Sequence, residues 1–164
     1  MFQFIHRWRH RHGFGIHSPW AYELVRDALF ETLPYYAFES LQGRASDHQL
    51  FRLVTWLRPR ACLHDTSDAT AAAHIDAAWQ SLRHYSHYTL YYYAYAHAET
   101  VASQWPDRHI PPDVCIVIDG IYRPPARDVW CQLLANPLAT SSFEQPTRGI
   151  IFFDPARQKQ NYQL

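Results

Sequence analysis

Val114-Cys115-Ile116-Val117-Ile118-Asp119-Gly120 decides the fold of this 164-residue chain. An uninterrupted apolar run of that length reads as a strand buried on both faces, the kind found inside a sheet covered by helices. Asp119-Gly120 closes it with a turn. On the carboxyl side, Pro124-Pro125 opens a helix whose inner face is Val129, Trp130, Leu133 and Leu134, and Asn136-Pro137 ends it. Residues 139–143 and 149–153 then read as two β segments with no helix between them, which predicts an antiparallel hairpin. Asp154-Pro155 predicts a short terminal helix. On the amino side, residues 88–95 form an uncharged, tyrosine-dominated strand, followed by a short helix through Ala98, Val101, Ala102 and Trp105. Before it stand a strand at 61–64, a turn of capping residues at 65–68, and an alanine-rich helix with Ala72, Ile75, Trp79 and Leu82 facing inward. Strands alternating with helices make an α/β fold.

Further outward, Ser18-Pro19 starts a helix, because serine caps free amides and proline loses nothing at the first helical position. Trp20, Leu24, Ala28 and Leu29 share its inner face, and Pro34 ends it. A second helix runs from Ser46 or Asp47 and stops before Pro59, with Leu50, Phe51, Leu53, Val54 and Leu57 on one side. Residues 1–17, with Phe2, Phe4, Ile5 and Trp8 among arginines and histidines, read as a basic aromatic arm folded back over the protein. The chain is expected to be one domain over 18–164, with helices in 18–58 and the α/β core in 59–164.

Composition narrows the function. Fifteen basic residues balance fifteen acidic ones, so no global field draws the protein to nucleic acid or to a membrane surface. The tyrosine strand could stack bases, yet no basic residue lies between Arg83 and Arg108 to form the groove such binding needs. No apolar run approaches the roughly 18 residues that cross a bilayer. Three cysteines, Cys62, Cys115 and Cys131, lack paired spacing, which argues against a disulfide framework or zinc module and fits a reducing cytoplasm. His74, His84, His87 and His97 do not follow a metal-site spacing, so no metal is expected. Neither Cys62 nor Cys115 has an evident base, so a nucleophile is not indicated either.

His12-Gly13-Phe14-Gly15-Ile16-His17-Ser18-Pro19-Trp20-Ala21-Tyr22, the Pro34-Tyr35-Tyr36 that follows, and Gly149-Ile150-Ile151-Phe152-Phe153 through Gln158, Lys159 and Gln160 resemble a group of bacterial class I S-adenosylmethionine-dependent methyltransferase-like proteins. The resemblance spans nearly the whole chain and is strongest at its two ends. It implies a Rossmann-like sheet of about five strands whose last two form a hairpin. In such enzymes the loop after the first strand is glycine-rich, so that backbone can approach the cofactor. The corresponding stretch here, Leu63-His64-Asp65-Thr66-Ser67-Asp68-Ala69-Thr70, has no glycine, and none occurs between Gly43 and Gly120. His64 falls near the usual acidic position, which Asp65 could partly fill.

A larger loss follows. The family continues through a second strand, whose carboxylate grips the ribose hydroxyls, and a third. Here Thr89-Leu90-Tyr91-Tyr92-Tyr93-Ala94-Tyr95-Ala96-His97 comes at once and resembles the family's fourth strand. In that register the second and third strands are deleted, Ala94 stands where the family has an aspartate, and Cys115 to Asp119 is the fifth strand. Charged hydrogen bonds contribute about 1.5–3 kcal/mol each, so losing the ribose carboxylate and the glycine loop removes about 3–5 kcal/mol of cofactor binding. That turns a micromolar site into about a millimolar one. The chain therefore reads as a shortened, catalytically degenerate methyltransferase-like protein, a binding or regulatory module without a stable cofactor site. The alternative is an active S-adenosylmethionine-dependent methyltransferase with its cofactor loop rebuilt from Asp65, Thr66, Ser67 and Asp68. Asp119 and His97 would be the polar groups left at the old active-site mouth. A sheet shorn of its outer strands would leave 61–64 or the tyrosine strand as an edge, open to pairing with a second copy or another protein.

Overall fold

The computed structural model describes residues 16–64, 67–105 and 109–164. Residues 1–15 of the arm at 1–17, the loop residues Asp65 and Thr66, and residues 106–108 lie outside them. The chain forms two compact units, one holding residues up to 60 with 68–86 and Leu164, the other 61–67 with 87–163.

The first unit is helical. Helix α1 (Pro19–Leu24) starts as its sequence predicts, with Ser18 Oγ accepting from Ala21 N at 3.4 Å and proline in the first turn. It runs into a π-helical turn, Val25–Leu29, closed by Phe30 N donating to Val25 O at 3.0 Å. Helix α2 (Ala45–Leu57) buries Leu50, Phe51, Leu53, Val54 and Leu57, the predicted apolar side. Arg58, at φ 52°, ends it ahead of Pro59. Helix α3 (Ala69–Gln80) packs on α2. Asp68 caps α3 by accepting from Ala71 N at 3.0 Å.

At the start of α2, the Asp47 carboxylate is 0% exposed and accepts from Arg44 N at 2.8 Å and from Arg44 Nε and Nη2, each at 3.0 Å. Burial alone would raise its pKa, but those bonds outweigh it and hold the carboxyl below its ordinary value. A depressed carboxylate stabilises the fold above its unfolded pKa of about 3.9, and the contribution fades as pH falls through the lower folded value. Asp47→Asn is accordingly expected to cost about 1–3 kcal/mol at pH 7 and progressively less below pH 4. Urea unfolding at pH 7 and pH 3 measures this; a difference that does not shrink in acid would refute it.

The second unit is built on a six-stranded sheet in the order β1-β2-β3-β5-β4-β6. Strands β1 (Ala61–His64), β2 (Thr89–Tyr93) and β3 (Val114–Asp119) are parallel. Strand β5 (Arg148–Phe153) runs antiparallel to β3, and β4 (Ser141–Glu144) antiparallel to β5, which is the hairpin the sequence predicts. All five residues of the apolar run in β3 are buried. One face packs Ile116, Ile118, Ile151 and Phe153 with Val101 of helix α4 (Thr100–Gln104) and with Trp130 and Leu133 of helix α5 (Ala126–Ala135).

The end of the chain differs from its sequence reading. In place of a terminal helix, Asp154 holds a single turn through Ala156 N, and the chain returns as β6 (Gln160–Gln163), parallel to β4. Gln160 N donates to Thr140 O at 2.8 Å, and Tyr162 stacks on Phe143 with ring centres 4.9 Å apart. Pairing and stacking on β4 outweigh the helix-start signal of Asp154-Pro155, and they make the sheet one strand larger than the sequence suggests.

Candidate functional site

The carboxyl ends of β1, β2 and β3 form one rim of the sheet, the position where open α/β sheets take ligands. A cavity of about 310 Å³ opens there, walled by Leu63 and His64 from β1, Tyr91, Tyr92 and Tyr93 from β2, and His97, Thr100 and Gln104 beyond it. Three of its lining residues are tyrosines because β2 carries Tyr91, Tyr92 and Tyr93 in succession at its carboxyl end, Tyr92 on the face opposite the other two. Tyr93 Oη donates to Gln104 Oε1, and burial raises the phenol's pKa, so it stays a neutral donor. None of the described wall residues is a carboxylate, and none is glycine.

Asp119 stands at the end of β3 and is already engaged. Arg148 Nε donates to Oδ1 at 2.8 Å and Nη2 to Oδ2 at 3.1 Å, a two-pronged contact, while Tyr92 Oη donates to Oδ2 at 2.9 Å. The β3–β5 register sets Asp119 directly opposite Arg148. The next residue, Gly120, has φ +67°, and a Cβ there would lie 2.7 Å from Tyr95 Cβ, so glycine is required for the turn to close against Tyr95. Asp119 is therefore a structural anion whose hydrogen-bond partner Tyr92 reaches the cavity wall. His97, in the single turn Tyr95–His97, is exposed and lines the cavity itself.

The predicted loop residues separate. Asp65 and Thr66 fall outside the described residues, and Ser67 is exposed. Asp68 belongs to the first unit, where its carboxylate caps α3 and meets Arg44 Nη2 at 2.8 Å. The histidines also separate: His97 stands beyond the carboxyl end of β2 and His87 before its amino end, while His74 packs beside Phe38 and His48 in the first unit. Cys115 is fully buried, and burial pushes its thiol's pKa up.

Arg148 was legible in principle but escapes a motif-based reading. It is a lone cation heading the apolar run Gly149-Ile150-Ile151-Phe152-Phe153, and a charge buried in a strand needs an opposite charge on its neighbour. No helix of the described residues is long and apolar enough to cross a membrane. Compared with protein-family models, curated proteins and solved structures, the chain has no match.

Proposed function

We propose that this chain is a reduced class I methyltransferase-like protein whose S-adenosylmethionine site is degenerate, acting in the cytoplasm as a binding or regulatory module. The resemblance at its two ends motivates the family. The strand order supports it, since a doubly wound sheet reads 3-2-1-4-5 at its core, and removing strands 2 and 3 leaves the parallel β1-β2-β3 order of this sheet. The observation that carries the degenerate reading is the cavity wall: at the crevice where the cofactor's ribose would lie, the described side chains are tyrosine, histidine, threonine, glutamine and leucine. A ribose diol is held by a carboxylate, and the nearby Asp119 is committed to Arg148 and Tyr92. The cavity is nevertheless open, which leaves room for a small ligand of another kind. With strands 2 and 3 gone, β1 is an outer strand of its sheet, and its edge is where a second copy or a partner protein would add. Three free cysteines support a reducing compartment.

Calorimetric titration of the full chain with S-adenosylmethionine and S-adenosylhomocysteine, carried to millimolar ligand, tests this reading. The expected result is no saturable binding below about 1 mM, in line with a loss of roughly 3–5 kcal/mol. Micromolar binding that disappears in Asp65→Ala would overturn it in favour of an active methyltransferase with a rebuilt loop.

A further inference from the structure

We propose that His87, Asp113 and Asp154 bind one first-row divalent cation, with Zn²⁺ as the fitting probe, at the rim of the sheet opposite the cavity. The sheet itself assembles the three. Thr89 pairs with Val114 and Val114 with Phe153, so the residues just outside these strand ends are neighbours. Thr89 N donates to Asp113 O at 2.9 Å and Asp113 N to Phe153 O at 2.7 Å, which fixes the backbone beneath the site.

One donor atom from each residue lies within 4.8 Å of the other two. His87 Nε2 and Asp113 Oδ1 are 3.7 Å apart, longer than a hydrogen bond. Two ligands bound to zinc at about 2.0–2.1 Å in tetrahedral geometry stand about 3.3 Å apart. With the three donors within 4.8 Å of one another, coordination requires closure by up to about 1.5 Å, and the side chains that must make it are partly exposed, His87 at 54% and Asp113 at 33%. The third ligand is the rigid one. Asp154 is 2% exposed; Tyr88 Oη donates to its Oδ2, Arg157 Nε to the same oxygen at 3.1 Å, and Ala156 N to Oδ1 at 2.9 Å.

A carboxylate offers about four acceptor sites, so these three donors leave one on Oδ1. Donors on the far side of a ligating carboxylate are how metal sites hold their ligands in place. Two carboxylates against the one Arg157 guanidinium leave net negative charge for a cation. One imidazole nitrogen with two carboxylate oxygens suits zinc, manganese or ferrous iron, and three protein ligands leave a position for water.

The test is calorimetric titration of the metal-free full chain with Zn²⁺ at neutral pH, paired with thermal unfolding. One equivalent should bind and raise Tm, as any ligand of the folded state does. His87→Ala and Asp113→Asn should each weaken binding about tenfold or more and abolish the rise in Tm. Asparagine tolerates the left-handed φ of 64° at position 113, so that variant keeps its fold if the other does not. His6, His10 and His12 in the arm offer competing zinc ligands, and a variant with all three changed to alanine should bind as the wild type does. Absence of saturable binding, or binding that survives His87→Ala and disappears with the arm histidines, would overturn the proposal.

Discussion

Arg148→Met is expected to lower the unfolding free energy by about 3 kcal/mol, the low end of what breaking a buried ion pair costs. The guanidinium is 1% exposed and Asp119 20%, so water relieves the stranded carboxylate only in part. The loss arises from the anion left behind, not from the Coulomb attraction removed. For that reason the double variant Arg148→Met with Asp119→Leu should recover most of the loss, because a buried pair replaced by apolar side chains is often neutral. Urea unfolding of the single and double variants measures both. A single-variant cost under about 1 kcal/mol would show that Asp119 reaches water without Arg148, and Asp119 would then regain its candidacy as a reactive group at the rim.

The sheet was readable because its strands announce themselves one at a time. Val114 to Ile118 is apolar without interruption, 61–64 and 88–95 are short and uncharged, and turn residues separate them. The helices were readable from caps: Ser18 before Pro19, Asp68 before the alanine run, and proline past α2. What escaped required knowing which strand lies beside which. Nothing local in Gln160-Asn161-Tyr162-Gln163 says strand; only β4 lying beside it, with Phe143 offering a ring to Tyr162, makes it one. Asp119 and Arg148 are separated by 29 residues and meet only through an antiparallel register, so the reading of Asp119 as a polar group at the active-site mouth did not include its partner. His87, Asp113 and Asp154 come together the same way, from three strand ends distant in sequence. Pairing across a sheet sets each of these, and a motif search along the chain cannot see it.

The same cross-strand logic sets the second large effect. Trp130 is completely buried against the face of the sheet that carries Ile116, Ile118 and Ile151, and Trp130→Ala should cost about 3–5 kcal/mol through lost contacts and the cavity left behind. Its ring rests on Gly149, where a Cβ would lie 2.5, 2.6 and 2.7 Å from three indole carbons. An indole is rigid and this one is enclosed, so Gly149→Ala should cost about 3 kcal/mol, the upper end for overpacking. In the double variant the new methyl enters space the indole has vacated. The two losses should therefore fall short of additivity by about 1–2 kcal/mol, a coupling in the range for residues in contact. Trp130→Phe separates packing from polarity: the buried indole Nε1 has no hydrogen-bond partner among the described residues, so phenylalanine forfeits volume but no hydrogen bond. It should cost clearly less than Trp130→Ala. Strictly additive losses for Gly149→Ala and Trp130→Ala would mean that β5 moves aside to admit the methyl, and the contact between α5 and the sheet would then be softer than the close approach at Gly149 implies.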